Sequence, residues 1–141
     1  MLIHNEFFNL RQIADSGQCF RMNPVETETG KESYYLIAYG RYLKLRQLDE
    51  NTVMLDCSEE EFHQLWKHYF DLDFDYGRIV RQISDSGDDF LKKAVAYGKG
   101  IRILRQEPFE VLISFIISQN KNIPAIKSCI EAICACFGEK K

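Results

Sequence analysis

The stretch from Tyr34 to Leu55, YYLIAYGRYLKLRQLDENTVML, predicts most of the sheet. Residues 34–39 are rich in aromatic and aliphatic side chains, which favour strands. Residues 42–48 then alternate apolar and polar side chains, as a strand with one buried face does. Residues 52–55 form a third apolar run, and short turn-forming segments separate the three runs. The stretch therefore predicts an antiparallel meander.

The spacing of apolar residues outside this stretch indicates a change from strands to helices near residue 57. Residues 18–22 predict one further strand, and residues 23–33 predict a polar loop. Beyond residue 57 the apolar residues recur with helical spacing instead of strand spacing. We therefore expect an α+β protein, with a small twisted antiparallel sheet in residues 1–57 and a partial helical bundle in residues 58–141.

Capping residues predict where the helices begin. Ser58 and Glu61 have the spacing of a capping box, in which each side chain bonds a main-chain N–H of the first turn. Aspartate, serine and asparagine favour N-cap positions, and proline favours the first helical turn. On this basis four further helices are expected to start at Asp73 or Asp75, at Ser86 or Asp88, at Pro108 and near Asn122–Pro124.

The two last helices are strongly apolar. The helix that begins at Pro108 is apolar nearly all round, because Val111 and Phe115 lie off its main stripe. Such a helix is typical of a bundle interior, so we expect it to be central. The last helix has one apolar face and is expected to end at Gly138. The residues predicted to be buried on that face are Ile126, Cys129, Ile130, Ile133 and Phe137.

Composition points to a globular chain without a basic field. The chain has 141 residues, 45% of them hydrophobic, and a net charge of −3. Residues 58–90 carry nine acidic and three basic side chains, whereas residues 99–141 carry seven basic and four acidic ones. This distribution favours phosphate contact on one side, near the C-terminal end, over contact all around the protein, as wrapping by DNA would require.

Nothing in the sequence predicts a metal, a cofactor or a membrane span. The five cysteines form no C-x-x-C pair, and the histidines do not cluster with them, so a zinc site is rejected. No apolar run approaches the roughly 20 residues of a membrane helix. The odd cysteine count and the absence of a signal peptide predict free thiols in an intracellular protein, cytoplasmic in a bacterium or nuclear in a eukaryote.

The link between the last two helices is the best candidate for a binding site. Asn120, Lys121 and Asn122 form a short polar turn between two apolar helices. Amide side chains both donate and accept hydrogen bonds, and on a rigid turn they could enter a DNA stack. A plain helix N-cap is the alternative for Asn122, and a solvated loop lysine or a phosphate contact are the alternatives for Lys121. No catalytic constellation stands out elsewhere.

Three parts of the chain resemble the motifs of the 8-oxoguanine DNA glycosylases, which are helix-hairpin-helix glycosylases with AP lyase activity. They are Phe8–Leu10 with Asp15–Arg21, then Tyr69–Asp73, then Leu104–Pro108 with Ser118–Ile123. These parts occur in the family's order across nearly the whole chain. The resemblance implies a TATA-binding-protein-like sheet followed by the first helices of the glycosylase domain. It also implies a parent enzyme of base-excision DNA repair that acts on damaged double-stranded DNA.

The resemblance also implies roles for individual residues. The Gly17 carbonyl would accept the N7 hydrogen that distinguishes oxidised guanine from guanine, although an ordinary turn glycine is the alternative. Asn120 would fill the gap left by the flipped base, with Lys121 and Asn122 beside it. For Arg21 a structural ion pair is expected instead of a lesion contact.

Two features depart from the family's full pattern. Members that are strict for cytosine opposite the lesion have an arginine at the position of Ala125, so we expect a relaxed opposite-base preference. The family's glycine-rich hairpin, nucleophilic lysine and aspartate have no counterpart in residues 1–141. We therefore expect this chain alone to be inactive, and its last helix to expose an apolar face that could drive self-association. A lesion-binding protein without catalysis and an interaction module without a DNA role are the rival interpretations.

Overall fold

The computed structural model describes residues 1–26 and 32–139, and it shows one five-stranded antiparallel sheet. The strands follow the spatial order β1-β5-β4-β3-β2, so the long β4 lies at the centre. A short helix, α1, connects the first two strands in the chain. The elements of this half are β1 Leu2–His4, α1 Leu10–Asp15, β2 Met22–Val25, β3 Ser33–Ala38, β4 Arg41–Asp49 and β5 Thr52–Leu55.

The predicted meander is confirmed, because β3, β4 and β5 pair as consecutive antiparallel strands. The strand predicted at residues 18–22 is wrong in position. A left-handed turn at Gly17 delays the strand, which begins at Met22 and extends into the predicted polar loop. Pro24 fits there because β2 is an edge strand, where the missing N–H breaks no ladder bond. Residues 27–31 of the predicted loop lie outside the described part of the chain.

The second half is helical, as predicted. Ser58 accepts a bond from the Glu61 N–H, Asp75 caps α4, and Asp88 caps α5. A π-helical segment separates α2 from α3. The helical elements are α2 Glu59–Glu61, the π segment Phe62–Trp66, α3 Lys67–Tyr69, α4 Tyr76–Ser84, α5 Asp89–Gly98, α6 Pro108–Ser118 and α7 Ile123–Phe137. No helix among the described residues is long and apolar enough to span a membrane.

The hydrophobic core lies between one face of the sheet and residues from both halves of the sequence. Strand residues such as Leu43 and Val53 share this core with Phe8 from the segment before α1. The segment from α2 to α3 contributes four aromatic side chains, Phe62, Trp66, Tyr69 and Phe70. Secondary structure therefore changes between residues 55 and 59 while the core continues across the change. The division into domains 1–57 and 58–141 stays a prediction.

Arg102 lies inside this assembly and is fully buried. Its guanidinium also lies over the Tyr76 ring, 4.2 Å from the ring centroid. Burial lowers the pKa of Arg102, because removing a charged group from water is unfavourable. The hydrogen bonds of the planar guanidinium offset this desolvation, since they satisfy the buried charge. The guanidinium donates to the main-chain carbonyls of Phe7, Phe70, Asp71 and Phe74.

The expectation that α6 is central is wrong for this chain. Phe109 is 68% exposed and Phe115 is 60% exposed, and α6 has no buried residue. The reason is that α7 is the main described neighbour of α6, so most of its circumference has no partner. On α7, burial of Ile126 and Ile130 is confirmed and Cys129 is partly buried. Burial of the other two predicted positions is wrong, because Ile133 and Phe137 are exposed.

Replacing Arg102 by lysine should destabilise the fold strongly. An ammonium group cannot reproduce the planar fork, so carbonyls of Phe7, Phe70, Asp71 and Phe74 lose partners. We expect a loss of about 3 kcal/mol in the free energy of unfolding, measured by urea denaturation. Arg81→Lys is the matched control, because Arg81 forms an exposed pair with Asp75 and should lose less than about 1 kcal/mol. Equal losses for the two variants would contradict this role of Arg102.

Candidate nucleic-acid interface

The Gly17 turn follows directly from the end of α1. Ser16 closes the helix by donating its hydroxyl to the Ile13 carbonyl at 2.7 Å. Gly17 has φ of 76°, and a Cβ added there would meet no other atom within 4 Å. Glycine is favoured at this position because the left-handed conformation strains other residues, not because the site is crowded. The turn is exposed, and the Gly17 carbonyl accepts no hydrogen bond from the described residues.

Gln18 connects this turn to the segment before α6. Its side-chain amide donates to the Arg102 carbonyl at 2.9 Å and accepts from the Leu104 N–H at 3.0 Å. Its own carbonyl accepts from the Gln106 side chain at 2.7 Å. These three bonds join Asp15–Arg21, in the first of the three parts that resemble the glycosylase motifs, to the chain around Leu104–Pro108, in the third. Sequence reasoning named Gln18 only as part of a motif and missed this role, since no local pattern indicates a partner more than 80 positions away.

The second motif segment joins the same assembly through Asp71. This residue has φ of 52°, which directs the chain out of α3. Its carboxylate accepts from Arg105 Nη2 at 3.1 Å and from the Tyr76 hydroxyl at 3.1 Å. The Arg105 N–H also donates to the Tyr69 carbonyl at 2.8 Å. The three segments that are far apart in sequence therefore form one hydrogen-bonded unit.

A buried thiol lies beneath the turn. Cys19 lies 3.7 Å from the Tyr69 hydroxyl, measured from sulfur to oxygen. Burial raises the pKa of the Cys19 thiol and also that of Tyr69, so both groups stay protonated near neutral pH. A protonated, buried thiol is a poor nucleophile, which excludes Cys19 as an activated catalytic residue. Cys19 serves as a small packing group.

An ion pair links Arg21, the residue before β2, to the first turn of α6. Arg21 Nη1 lies 3.8 Å from Glu110 Oε2, which is the structural pair expected for Arg21. Burial raises the pKa of Glu110, and the neighbouring guanidinium partly offsets that shift. Arg21 Nε is buried without a described hydrogen-bond partner. This pair is a direct contact between the start of β2 and the first turn of α6.

The link between α6 and α7 is short and exposed. The Asn122 side chain accepts from the Ala125 N–H at 3.0 Å, so its N-cap role is confirmed. Asn120 and Lys121 extend into solvent, and the Asn120 side chain makes no hydrogen bond with any described residue. Asn120 is therefore free to bind an external group, whereas the Asn122 oxygen is already used.

The position of this link is fixed by α7. Ile126 and Ile130 are buried, and Lys127 Nζ donates to Asn23 Oδ1 of β2 at 2.8 Å. The two helices that flank the link therefore each contact the sheet region, α7 through Lys127 and α6 through Glu110. No described contact joins Gly17 directly to Asn120; the structure connects them through Gln18, the segment 102–106 and α6. The described residues contain no group of three or more side chains suited to bind a metal ion.

Comparison with known proteins agrees with this arrangement. Residues 1–112 match the family model for the N-terminal domain of 8-oxoguanine DNA glycosylase. An N-glycosylase/DNA lyase from Saccharomyces cerevisiae is 31% identical in an alignment 140 residues long, and this alignment covers 92% of this chain and 36% of that protein.

Two solved structures of the Clostridium acetobutylicum 8-oxoguanine glycosylase/lyase are similar. The complex with double-stranded DNA containing cytosine opposite 8-oxoguanine has a TM-score of 0.83 and 46% identity, covering 95% of this chain and 44% of that one. The apo form has a TM-score of 0.86 and 45% identity, covering 99% and 47%. The chain thus spans less than half the length of these relatives. The α+β fold class is confirmed, and the chain belongs to the 8-oxoguanine DNA glycosylase family, with residues 1–112 matching the N-terminal domain of that family.

Proposed function

We propose that this chain is the N-terminal part of a DNA glycosylase/AP lyase that recognises and excises 8-oxoguanine from duplex DNA. The observation that carries the proposal is the hydrogen-bonded unit that joins the Gly17 turn to the segment leading into α6. The DNA-bound Clostridium relative, at 46% identity, supports duplex DNA as the partner. We expect the protein to work inside the cell, where such DNA is found.

Gly17 is proposed to distinguish the lesion. Oxidised guanine carries a hydrogen at N7, where guanine has only a lone pair. A carbonyl acceptor at that point rewards the lesion with a hydrogen bond and repels the normal base. What supports this role is that the Gly17 carbonyl lies in an exposed turn and has no partner among the described residues.

Asn120 is proposed to fill the gap left by the flipped base. Flipping costs a few kcal/mol in lost stacking and pairing, which a group inserted into the stack partly restores. The Asn120 amide can both donate and accept, and it has no internal partner to give up on binding. Lys121 beside it is exposed, and we propose that it contacts a backbone phosphate.

The chemical step is proposed to need residues outside this chain. By resemblance to the family, a lysine amine attacks the sugar C1′, the base leaves, and a Schiff base forms on the enzyme. An aspartate assists with charge and proton handling. Neither residue has a counterpart in residues 1–141, so this chain contributes recognition and gap filling but not cleavage.

Lesion recognition is tested by binding to fluorescent duplexes that differ only in one 8-oxoguanine. We expect the chain to bind the lesion duplex more tightly, and Asn120→Ala to weaken that binding about tenfold, since it removes both polar groups. Gln64→Ala, on the exposed surface of the π segment, is the control and should leave affinity unchanged. Equal affinity for damaged and undamaged duplexes, or no effect of Asn120→Ala, would reject the proposal.

Opposite-base preference is tested at Ala125. This residue lies in the first turn of α7, and its methyl group cannot donate a hydrogen bond to an orphaned base. We expect similar affinity for lesion duplexes with any of the four bases opposite 8-oxoguanine. Ala125→Arg should create a preference for cytosine, and Ala125→Met, which is long but has no donor, should not. A strong cytosine preference in the unmodified chain would contradict the prediction.

Self-association is proposed through the exposed apolar side of α6. Phe109 and Phe115 are the largest exposed groups there, and water contact with such a surface is unfavourable. Sedimentation velocity should show mass that rises with concentration, and the double variant Phe109→Ser with Phe115→Ser should stay monomeric. The control is Phe90→Ser on α5, where the ring is also exposed, and this variant should self-associate like the unmodified chain. A monomer at all concentrations would refute this proposal.

A further inference from the structure

The face of the sheet that points away from the core has its own chemistry. On β4, Leu43 and Leu45 are buried, whereas Tyr42, Lys44 and Arg46 alternate with them and are exposed. We call the side of the sheet that carries these three residues the outer face. Pairing in the sheet extends it to β3, because Tyr42 lies opposite Ile37 and Lys44 lies opposite Tyr35.

The outer face carries a pair of stacked rings. Tyr35 and Tyr42 lie with their centroids 5.9 Å apart and their planes at 20°. Tyr42 is 49% exposed, so the side of its ring that does not contact Tyr35 is accessible. Packing against Tyr35 also limits the orientation of the Tyr42 ring. A held, half-exposed ring on a flat surface is a platform on which an unpaired base can stack.

Cations follow the rings along the same strand. Lys44 and Arg46 are two and four residues beyond Tyr42, which places successive Cα atoms about 6.6 Å apart. Neither side chain forms an ion pair or a hydrogen bond with another described residue. They line an open cavity of about 230 Å³ together with Met54 and Asp56, and Asp56 is the only carboxylate that the described residues contribute to that lining.

The helix α7 leaves this part of the face open. Lys127 of α7 bonds Asn23 on β2, and Cys134 lines a second cavity together with Ile37 and Tyr42. The helix therefore lies toward the β2 edge of the sheet. Lys44 and Arg46 on the central strand stay uncovered by the described residues, and Tyr42, which borders the cavity beside α7, stays half exposed. Arg41 also lines that second cavity, together with the carboxylate of Glu139 and with Arg21, which is paired with Glu110.

We propose that the outer face binds single-stranded nucleic acid, with Tyr42 stacking on a base and Lys44 and Arg46 contacting the phosphates that follow. Charge complementarity favours a polyanion, and the exposed ring favours one with unstacked bases over an acidic peptide. A duplex hides its base faces, so it would gain only the phosphate contacts. This surface is distinct from the Gly17 turn and the Asn120 link, and the proposal goes beyond lesion excision.

The proposal is tested with the full chain and a fluorescent 12-nucleotide oligothymidine in an anisotropy titration. Tyr42→Ala should weaken binding about tenfold, and Tyr42→Phe should retain it because the ring remains. The matched control is Tyr97→Ala, which removes an even more exposed tyrosine from α5 and should have no effect. Thermal unfolding of each variant separates a lost contact from a lost fold.

Salt dependence tests the cations separately. Lys44→Ala with Arg46→Ala should lower the slope of log affinity against log salt by about 1.4, since each phosphate contact on a single strand contributes about 0.7. Lys93→Ala with Lys99→Ala, which removes two exposed lysines elsewhere, should leave the slope unchanged. Absence of binding at low salt would overturn the proposal, as would an unchanged slope for the Lys44 and Arg46 pair. So would competition by polyglutamate as strong as by unlabelled oligothymidine.

The lesion proposal and this one can fail independently. Asn120→Ala should reduce binding of the lesion duplex and leave oligothymidine binding unchanged, whereas Tyr42→Ala should do the reverse. If Asn120→Ala weakened oligothymidine binding as much as lesion-duplex binding, the outer face would not be the binding surface, and this proposal would be wrong.

Discussion

The buried guanidinium of Arg102 is the interaction on which the rest of the structure depends. A charge buried away from solvent must be fully hydrogen-bonded. The Arg102 guanidinium finds its partners where three segments meet: the connection through Phe7 between β1 and α1, the end of α3 and the turn before α4. None of these segments is regular secondary structure at the point of contact. The carbonyls of Phe7 and Phe70 have no other described partner, whereas those of Asp71 and Phe74 also accept from the main-chain N–H groups of Phe74 and Tyr76. Arg102 therefore fixes the mutual positions of segments that neither the sheet nor the helices constrain.

The proposed interface follows from that constraint. Arg102 opens the segment that Gln18 binds through the Arg102 carbonyl and the Leu104 N–H, so the Gly17 turn is placed by the same residue. The Arg105–Asp71 pair closes the other side of the segment. Because α6 begins immediately after it, the direction of α6 is set before the link containing Asn120 is reached. The Gly17 turn and the Asn120 link, for which recognition and gap filling are proposed, are thus connected through this segment and α6 instead of by direct contact.

Local patterns in the sequence predicted most helices and strands, and they failed where residues distant in sequence determine the position or burial of an element. Alternation along 42–48 was enough for β4, and Asp75, Asp88 and Asn122 were enough to start three helices, because capping is a short-range effect. Strand β2 was misplaced because its start depends on a left-handed glycine rather than on hydrophobic pattern.

The failure for α6 has a different origin. Its apolar sequence correctly indicates a helix, but the pattern alone does not reveal which sides of that helix have neighbours among the described residues. For the site, motif resemblance named Gly17 and Asn120, and it could not show that Gln18 and Arg102 hold the segments together. Those roles depend on side chains that meet main-chain atoms far away in sequence, which leave no periodic signal.

The central claim is that the Gly17 turn and the Asn120 link act together on one damaged duplex. It is tested most directly by two-dimensional NMR of the 15N-labelled chain titrated with a duplex containing 8-oxoguanine. The account predicts shifts of amide signals at residues 16–18 and 119–122 that exceed those caused by the undamaged duplex, with little change on β4. Perturbation confined to other surfaces, or identical shifts with damaged and undamaged DNA, would contradict it.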